Sequence, residues 1–165
     1  LYSILNLIFN SFYMTIKIMI IIYISNFIIY LYYKKDLPVA NMYGKSSKIN
    51  LPSSIKSSIN TNLMVLGSIV FYFIISSILI ETFNIGYPFD IFLRGILEMT
   101  QGLNNVIQLN SNIKLITTII FITFGGLSIH TQVKCILDEY GLDYKYFFKG
   151  RILQLVIAII LTFIP

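Results

Sequence analysis

The chain has 165 residues, of which 56% are hydrophobic and only 12% are charged, and its formal net charge is +5. A soluble globular domain carries about 25% charged residues, so this composition argues against one and indicates a helical membrane protein. The positive charge does not indicate nucleic-acid binding, because the basic residues form no stripe interleaved with stacking aromatics. A single cysteine, Cys135, excludes an intrachain disulfide.

The first segment contains one predicted transmembrane helix. A span needs about 20 mostly apolar residues, and residues 14–33 provide them before Lys34. Residues 1–13 are interpreted as the tail of an earlier segment. The chain begins with Leu1 rather than Met and stops fourteen residues into a last apolar run, so we expect a fragment of a longer protein.

Residues 34–62 form a polar connector with five lysines and one acidic residue. Its serines and its two prolines, Pro38 and Pro52, are typical of a surface linker. Connectors rich in lysine and arginine mark the cytoplasmic side of a membrane, so we expect this one to be cytoplasmic. The next predicted span covers 63–83, and a turn follows.

The segment 91–110 is periodic but too polar to face lipid on all sides. Five polar residues fall at offsets 0, 4, 7, 11 and 14, a single stripe on a helix: Arg94, Glu98, Gln101, Asn105 and Gln108. The segment is either an interfacial amphipathic helix or a re-entrant hairpin, with a possible break at Gly102. A non-spanning segment places the basic connectors 34–62 and 134–151 on the same side, which the positive-inside rule favours.

The apolar run 113–133 contains two adjacent glycines followed by polar residues, which are Ser128, His130 and Gln132. Close packing between helices through small residues explains the glycines but not the histidine and glutamine. Alternatively, the helix is broken at Gly125–Gly126, and its freed backbone groups and new N-terminus meet an anionic solute. An amphipathic loop, 134–151, and a last span, 152–165, complete the chain.

The sequence therefore predicts an all-α, polytopic helical membrane protein. It has about four transmembrane helices plus a re-entrant or interfacial helical hairpin. The segment 63–165 forms one membrane domain that follows the first span and the linker.

Chemistry-bearing residues are few. Glu98 lies four residues after Arg94 on one helical face, either in an ordinary ion pair or as a buried carboxylate that lines a pathway. His130 has Cys135 nearby, but the spacing matches no common set of metal ligands, so we expect no metal. No nucleophile–base pair and no nucleotide-binding fingerprint is present, so neither an enzyme nor a cofactor is expected.

Three short motifs occur in order: GILEMTQGL (95–103), FGGLSIHTQV (124–133) and FFKGRILQ (147–154). Together they resemble the C-terminal part of YlbJ-type sporulation integral membrane proteins, within the wider nucleoside-recognition (Gate) domain family. Two residues depart from that pattern: Gln101 replaces a common asparagine, and Thr131 replaces a common alanine. The resemblance implies two related halves, each with a hairpin and a glycine-broken helix. This chain would be the second half of the two-repeat fold, and its partner is the missing N-terminal half or another subunit.

The resemblance also implies a function in endospore formation. Such proteins are associated with moving dipicolinic acid, a small aromatic dicarboxylate, across the outer forespore membrane. The motif residues that would contact the solute lie on the hairpin and on the broken helix: Glu98, Thr100, Gln101, Gly125, Gly126, Ser128, His130 and Gln132. Arg94 would form a supporting ion pair. The alternatives are a non-transporting sporulation scaffold that docks a partner through 134–151, and a nucleoside transporter.

Overall fold

The computed structural model describes residues 1–34 and 50–164, with only the backbone of Asn112. Over these ranges the chain is all-helical and contains no β-strand, which confirms that the protein is all-α. The helices are α1 (Tyr2–Phe9), α2 (Phe12–Tyr33), α3 (Leu51–Thr82), α4 (Phe89–Leu97), α5 (Met99–Asn105), α6 (Ser111–Phe124), α7 (Gly126–Glu139) and α8 (Tyr144–Thr162). A 3-10 turn, Val106–Gln108, follows α5.

Within the described part of the chain, three helical segments are long and apolar enough to cross a membrane. They are Phe12–Tyr33, Leu51–Thr82 and Ile113–Glu139, the last of which combines α6 and α7. Their large apolar side chains are widely exposed, as on α3, where Leu63 is 61% exposed and Phe71 is 56% exposed. Such surfaces suit lipid or other transmembrane helices rather than water. The finding agrees with an integral membrane protein.

The predicted linker ends earlier than the sequence indicated. Residues 35–49 lie outside the described residues, but α3 already begins at Leu51 and continues through the predicted span. Pro52 is compatible with this start because the first helical turn needs no hydrogen bond from its nitrogen. The prediction of a loop over residues 51–62 is therefore wrong.

The predicted amphipathic loop 134–151 is mostly helical. Helix α7 continues to Glu139, and α8 begins at Tyr144. The side chain of Asp143 starts α8 by accepting a hydrogen bond of 2.8 Å from the Lys145 backbone nitrogen. Only a short turn separates the two helices. The amphipathic pattern of 134–151 therefore belongs to the end of α7 and the start of α8.

Helix α1 is part of the core rather than a loose tail. Leu5 and Ile8 are buried, and they join two apolar clusters. Ile8 packs with Ile91, Leu103, Val106, Leu109 and Phe121, and Leu5 packs with Ile18, Ile21, Ile119 and Ala158. The core thus connects α1 and α2 with α4, α5 and the 3-10 turn, with α6 and with α8.

The segment 91–110 is not one continuous helix. The backbone is extended at Glu98 (φ −139°, ψ 114°), and the chain turns back there, so that α5 packs on α4. An added β-carbon on Gly102 would lie 2.2 Å from the Gly95 α-carbon. The prediction of one polar stripe with a break at Gly102 is therefore wrong. The two arms have nine and seven residues, about 14 and 11 Å of helix, too short to cross about 30 Å of hydrocarbon.

Candidate functional site

The glycine pair interrupts the helix formed by 113–139. Gly125 (φ 88°) and Gly126 (φ 72°) both have left-handed backbone conformations, which strain any residue with a β-carbon. The Gly125 nitrogen donates to the Phe121 carbonyl at 2.8 Å and ends α6, and α7 starts immediately afterwards. Two half-helices therefore meet end to end, with carbonyl groups on one side and amide groups on the other.

The two helix breaks are in direct contact. A β-carbon added to Gly126 would lie 3.0 Å from the Met99 nitrogen and 3.3 Å from the Gly95 carbonyl oxygen. Met99 and Gly95 flank Glu98, where α4 ends and α5 begins. The tip of the hairpin therefore packs on the first residue of α7, at a point where only glycine fits.

Glu98 is a helix cap. Its side chain is 2% exposed, and its Oε2 atom accepts hydrogen bonds from the Gln101 backbone nitrogen at 2.9 Å and from the Thr100 hydroxyl. A carboxylate at a helix N-terminus is stabilised by the free amides and by the helix dipole. Arg94 does not supply the expected ion pair, because its Nη1 donates instead to Gln101 Oε1 at 3.4 Å.

Two buried polar groups near the breaks have no hydrogen-bond partner among the residues that the structure describes. Gln101 Oε1 accepts a hydrogen bond from Ser76 at 2.9 Å as well as the one from Arg94, but Gln101 Nε2 has no acceptor. The hydroxyl of Ser128, in the first turn of α7, is fully buried and also unpaired. Buried polar groups without a partner are rare, because each has lost its hydrogen bonds to water and gained none within the protein.

Helices α3 and α7 run antiparallel and are joined by side-chain hydrogen bonds. Gln132 Nε2 donates to the Ser68 hydroxyl at 2.8 Å, and Tyr72 shares a hydrogen bond of 2.7 Å with Thr131. One turn further along α3, Ser76 lies near the level where α7 starts, and it holds Gln101 there. Gln132 therefore serves helix packing, while Gln101 lies two residues after Met99, which contacts the first residue of α7.

Both ring nitrogens of His130 are engaged within the protein. Nε2 lies 3.0 Å from the Phe124 carbonyl oxygen, and Nδ1 lies within hydrogen-bonding distance of the Tyr144 hydroxyl. A carbonyl oxygen can only accept a hydrogen bond, so in the neutral ring Nε2 carries the hydrogen and Nδ1 accepts from the Tyr144 hydroxyl. The neutral tautomer then donates from Nε2 to the last carbonyl of α6. His130 connects α6 and α7 to α8.

Arg151 is a site residue to which the sequence assigned no role. Its Nη1 donates to the Thr123 carbonyl at 3.4 Å and to Gln154 Oε1 at 3.0 Å, and its guanidinium lies 5.2 Å from the Phe147 ring centre. A cation at a helix C-terminus is favoured by the dipole of that helix. The sequence did contain a signal for a role of Arg151, since this residue lies in the third motif, directly before an apolar run.

The broken helix is therefore asymmetric. His130 and Arg151 occupy carbonyl groups at the end of α6, whereas in the described ranges no side chain caps the amide end of α7. Gln101 and Ser128 leave polar atoms unpaired beside that amide end. Free amides, an amide NH₂ and a hydroxyl suit an anionic or polar solute. In the described part of the chain, no cluster of three or more His, Cys, Asp or Glu is placed to hold a metal ion.

Comparison with known proteins does not identify a family. A scan against protein-family models finds no match, and neither a curated protein nor a solved structure matches the chain. The likeness to YlbJ-type proteins therefore rests on the three motifs alone, and it remains a hypothesis.

Proposed function

We propose that this chain is one half of a membrane transporter that binds a small anionic solute where the hairpin meets the broken helix. Dipicolinic acid, carried across the outer forespore membrane during endospore formation, is the solute favoured by the motif resemblance. In this proposal α8 is the fourth span, and a related half, on the same chain or on another subunit, completes the pathway.

The observation that carries the proposal is the contact between Gly126 and the hairpin tip, beside unpaired polar groups. Gly126 lies against Met99, which is two residues before Gln101, and against Gly95, which directly follows Arg94. Gln101 Nε2 and the Ser128 hydroxyl are the groups left without partners there. Transporters commonly bind anionic groups at the N-termini of such half-helices.

The charge distribution favours the start of α7 over the start of α5 for an anion. The carboxylate of Glu98 already occupies the N-terminus of α5, and a second anion at that end would be repelled. At the start of α7 no carboxylate caps the helix, and the half-buried guanidinium of Arg94 lies near by. We therefore assign Gln101, Ser128 and Arg94 to solute binding, and Glu98 and His130 to positioning.

Uptake of radiolabelled dipicolinate into proteoliposomes tests the proposal, using the full protein with both halves present. Ser128→Ala and Gln101→Ala each remove a hydrogen bond to a charged group, which is worth about 1.5–3 kcal/mol, so uptake at low solute concentration should fall about 10- to 100-fold. The matched controls are Ser58→Ala and Gln108→Ala, whose side chains are exposed; they should transport normally.

Three outcomes would count against the proposal. Normal uptake by both site variants, with normal membrane insertion, would remove the site assignment. Inhibition of uptake by excess uridine would indicate nucleoside transport. A sporulation defect in Asp138→Ala, but not in Ser128→Ala, would favour a scaffold that docks a partner through the α7–α8 region.

A further inference from the structure

An open cavity lies between α2, α7 and α8, and it includes Arg151, which contacts the end of α6. Its volume is about 910 Å³, within the range of about 300–1,000 Å³ that small-molecule sites occupy. Tyr33, at the end of α2, and Asp143, just before α8, both line it. The end of α2 and the α7–α8 turn thus meet at one end of the molecule, in agreement with the charge placement of the two connectors.

Three polar side chains line this cavity: Asn26, which is exposed, Arg151, which is partly buried, and Gln154, which is buried. Arg151 is seven residues beyond Tyr144, the first residue of α8, which corresponds to about 10 Å along the helix axis. The cation therefore lies about two helical turns from the start of α8 and is partly buried.

Arg151 has hydrogen-bonding capacity left over. The two acceptors described for it, Thr123 O and Gln154 Oε1, are both neutral and both contact Nη1. A guanidinium has five N–H donors in a planar fork that matches a carboxylate. Asp143 lines the same cavity, but its carboxylate accepts from the Lys145 backbone nitrogen at 2.8 Å and caps α8.

The rest of the wall is apolar or aromatic. Ile29, Val133 and Leu137 come from α2 and α7, and Tyr146 and Phe147 come from α8. The Phe147 ring lies beneath the Arg151 guanidinium, 5.2 Å from its central carbon. A ligand that fits has an anionic end and an apolar body longer than a bare ion.

We propose that this cavity is a second binding site, and that it takes a small organic carboxylate with an apolar or aromatic body. The carboxylate pairs with Nε and Nη2 of Arg151, and Asn26 and Gln154 lie beside it. The body packs against Phe147 and the α2–α7 wall. The site is distinct from the solute site proposed at the amide end of α7, although Arg151 also contacts the carbonyl end of α6.

The test is ligand-observed fluorine NMR on the full chain, purified in detergent, with 4-fluorobenzoate as the probe. The unmodified protein should bind the probe saturably, and Arg151→Gln should weaken binding at least 10-fold. Lys149→Gln, an exposed basic neighbour, is the matched control and should bind as the unmodified protein does. Ser128→Ala should leave the affinity within twofold, because Ser128 belongs to the other site.

Leu137→Trp provides a second variant in case Arg151→Gln does not fold. The larger side chain fills part of the cavity and leaves Arg151 in place, so it should abolish binding. Equal affinity in Arg151→Gln and the unmodified protein would overturn the proposal, as would full binding by Leu137→Trp. Displacement of the probe by equimolar inorganic phosphate would also overturn it, since a bare oxyanion would then suffice. Loss of binding in Ser128→Ala alone would place the anion at the helix breaks instead.

Discussion

Gly126 on α7 lies against Met99 on α5, so closely that an added β-carbon would stand 3.0 Å from the Met99 nitrogen. This contact joins two places where the chain leaves helical geometry, one in the hairpin and one in the broken helix. The contact is between backbone atoms, so no side-chain movement can make room for an added methyl group. The stability of the protein and the shape of the candidate site therefore depend on the same few atoms.

Gly126→Ala should destabilise the protein by about 2 kcal/mol or more. The left-handed conformation alone costs a non-glycine residue about 1–2 kcal/mol, and the methyl group also presses on the hairpin backbone. Thermal unfolding in detergent measures the effect. Gly67→Ala on α3 is the control, because nothing lies within 4 Å of its added β-carbon. Equal melting temperatures for the two variants would contradict the proposed contact.

Gly95→Ala should be strongly destabilising and should be rescued by a smaller residue at position 121. A β-carbon on Gly95 would lie 2.1 Å from the tip of the Phe121 ring, and overpacking of this kind costs about 1–3 kcal/mol. Phe121→Leu shortens that side chain, so the double variant should lose less stability than the sum of the single variants. Additive losses in a thermal double-mutant cycle would argue against the steric explanation.

Glu98→Ala should destabilise the protein by about 1 kcal/mol, the usual effect of removing a helix N-cap. Glu98→Gln keeps an oxygen that can accept from the Gln101 nitrogen, so it should lose less. Chemical denaturation of both variants measures the difference. If Glu98 binds solute directly rather than capping α5, both variants will abolish uptake while stability stays unchanged.

Ser128→Ala and Ser76→Ala should affect stability in opposite ways. The buried Ser128 hydroxyl has no partner, so its removal should leave stability unchanged or raise it by up to about 1 kcal/mol. Removing the Ser76 hydroxyl deprives Gln101 Oε1 of a donor at 2.9 Å and should cost about 1 kcal/mol. Thermal unfolding distinguishes them, and a clear loss of stability in Ser128→Ala would show that its hydroxyl is paired.

His130 and Tyr144 should be energetically coupled across α7 and α8. His130→Phe removes the acceptor for the Tyr144 hydroxyl and the donor to the Phe124 carbonyl. Tyr144→Phe removes only the first of these two hydrogen bonds. A double-mutant cycle should therefore give a coupling free energy of about 1 kcal/mol, with His130→Phe the more harmful single change. A coupling near zero would mean that the two side chains do not interact.

The sequence identified the position of one helix break but not that of the other. Adjacent glycines at 125 and 126 are a local signal, because glycine tolerates positive φ. No such signal exists at Glu98, where a residue compatible with a helix becomes extended and caps the next helix. That turn is stabilised by tertiary packing, in which Gly95 and Gly102 approach closely and Phe121 covers them. Helical periodicity alone could not distinguish this turn from a continuous polar stripe.

The site, like the helix breaks, was only partly predictable from the sequence. The sequence predicted Gln101, Ser128 and His130 as site residues, because polar side chains within apolar segments are costly in a membrane. Which of them stay free was decided by partners distant in sequence. Tyr144 and Phe124 engage both nitrogens of His130, while Ser128 has no partner.

By itself, the sequence determined the class of protein, its apolar helices and the glycine break, because hydropathy and backbone permissiveness are properties of short segments. Only the tertiary structure decided that the two breaks touch and that Glu98 caps α5. It also decided that His130 and Arg151 occupy the carbonyl end of α6. These relationships depend on distances between segments far apart in the chain, and buried polar groups choose their partners only when those segments are packed together.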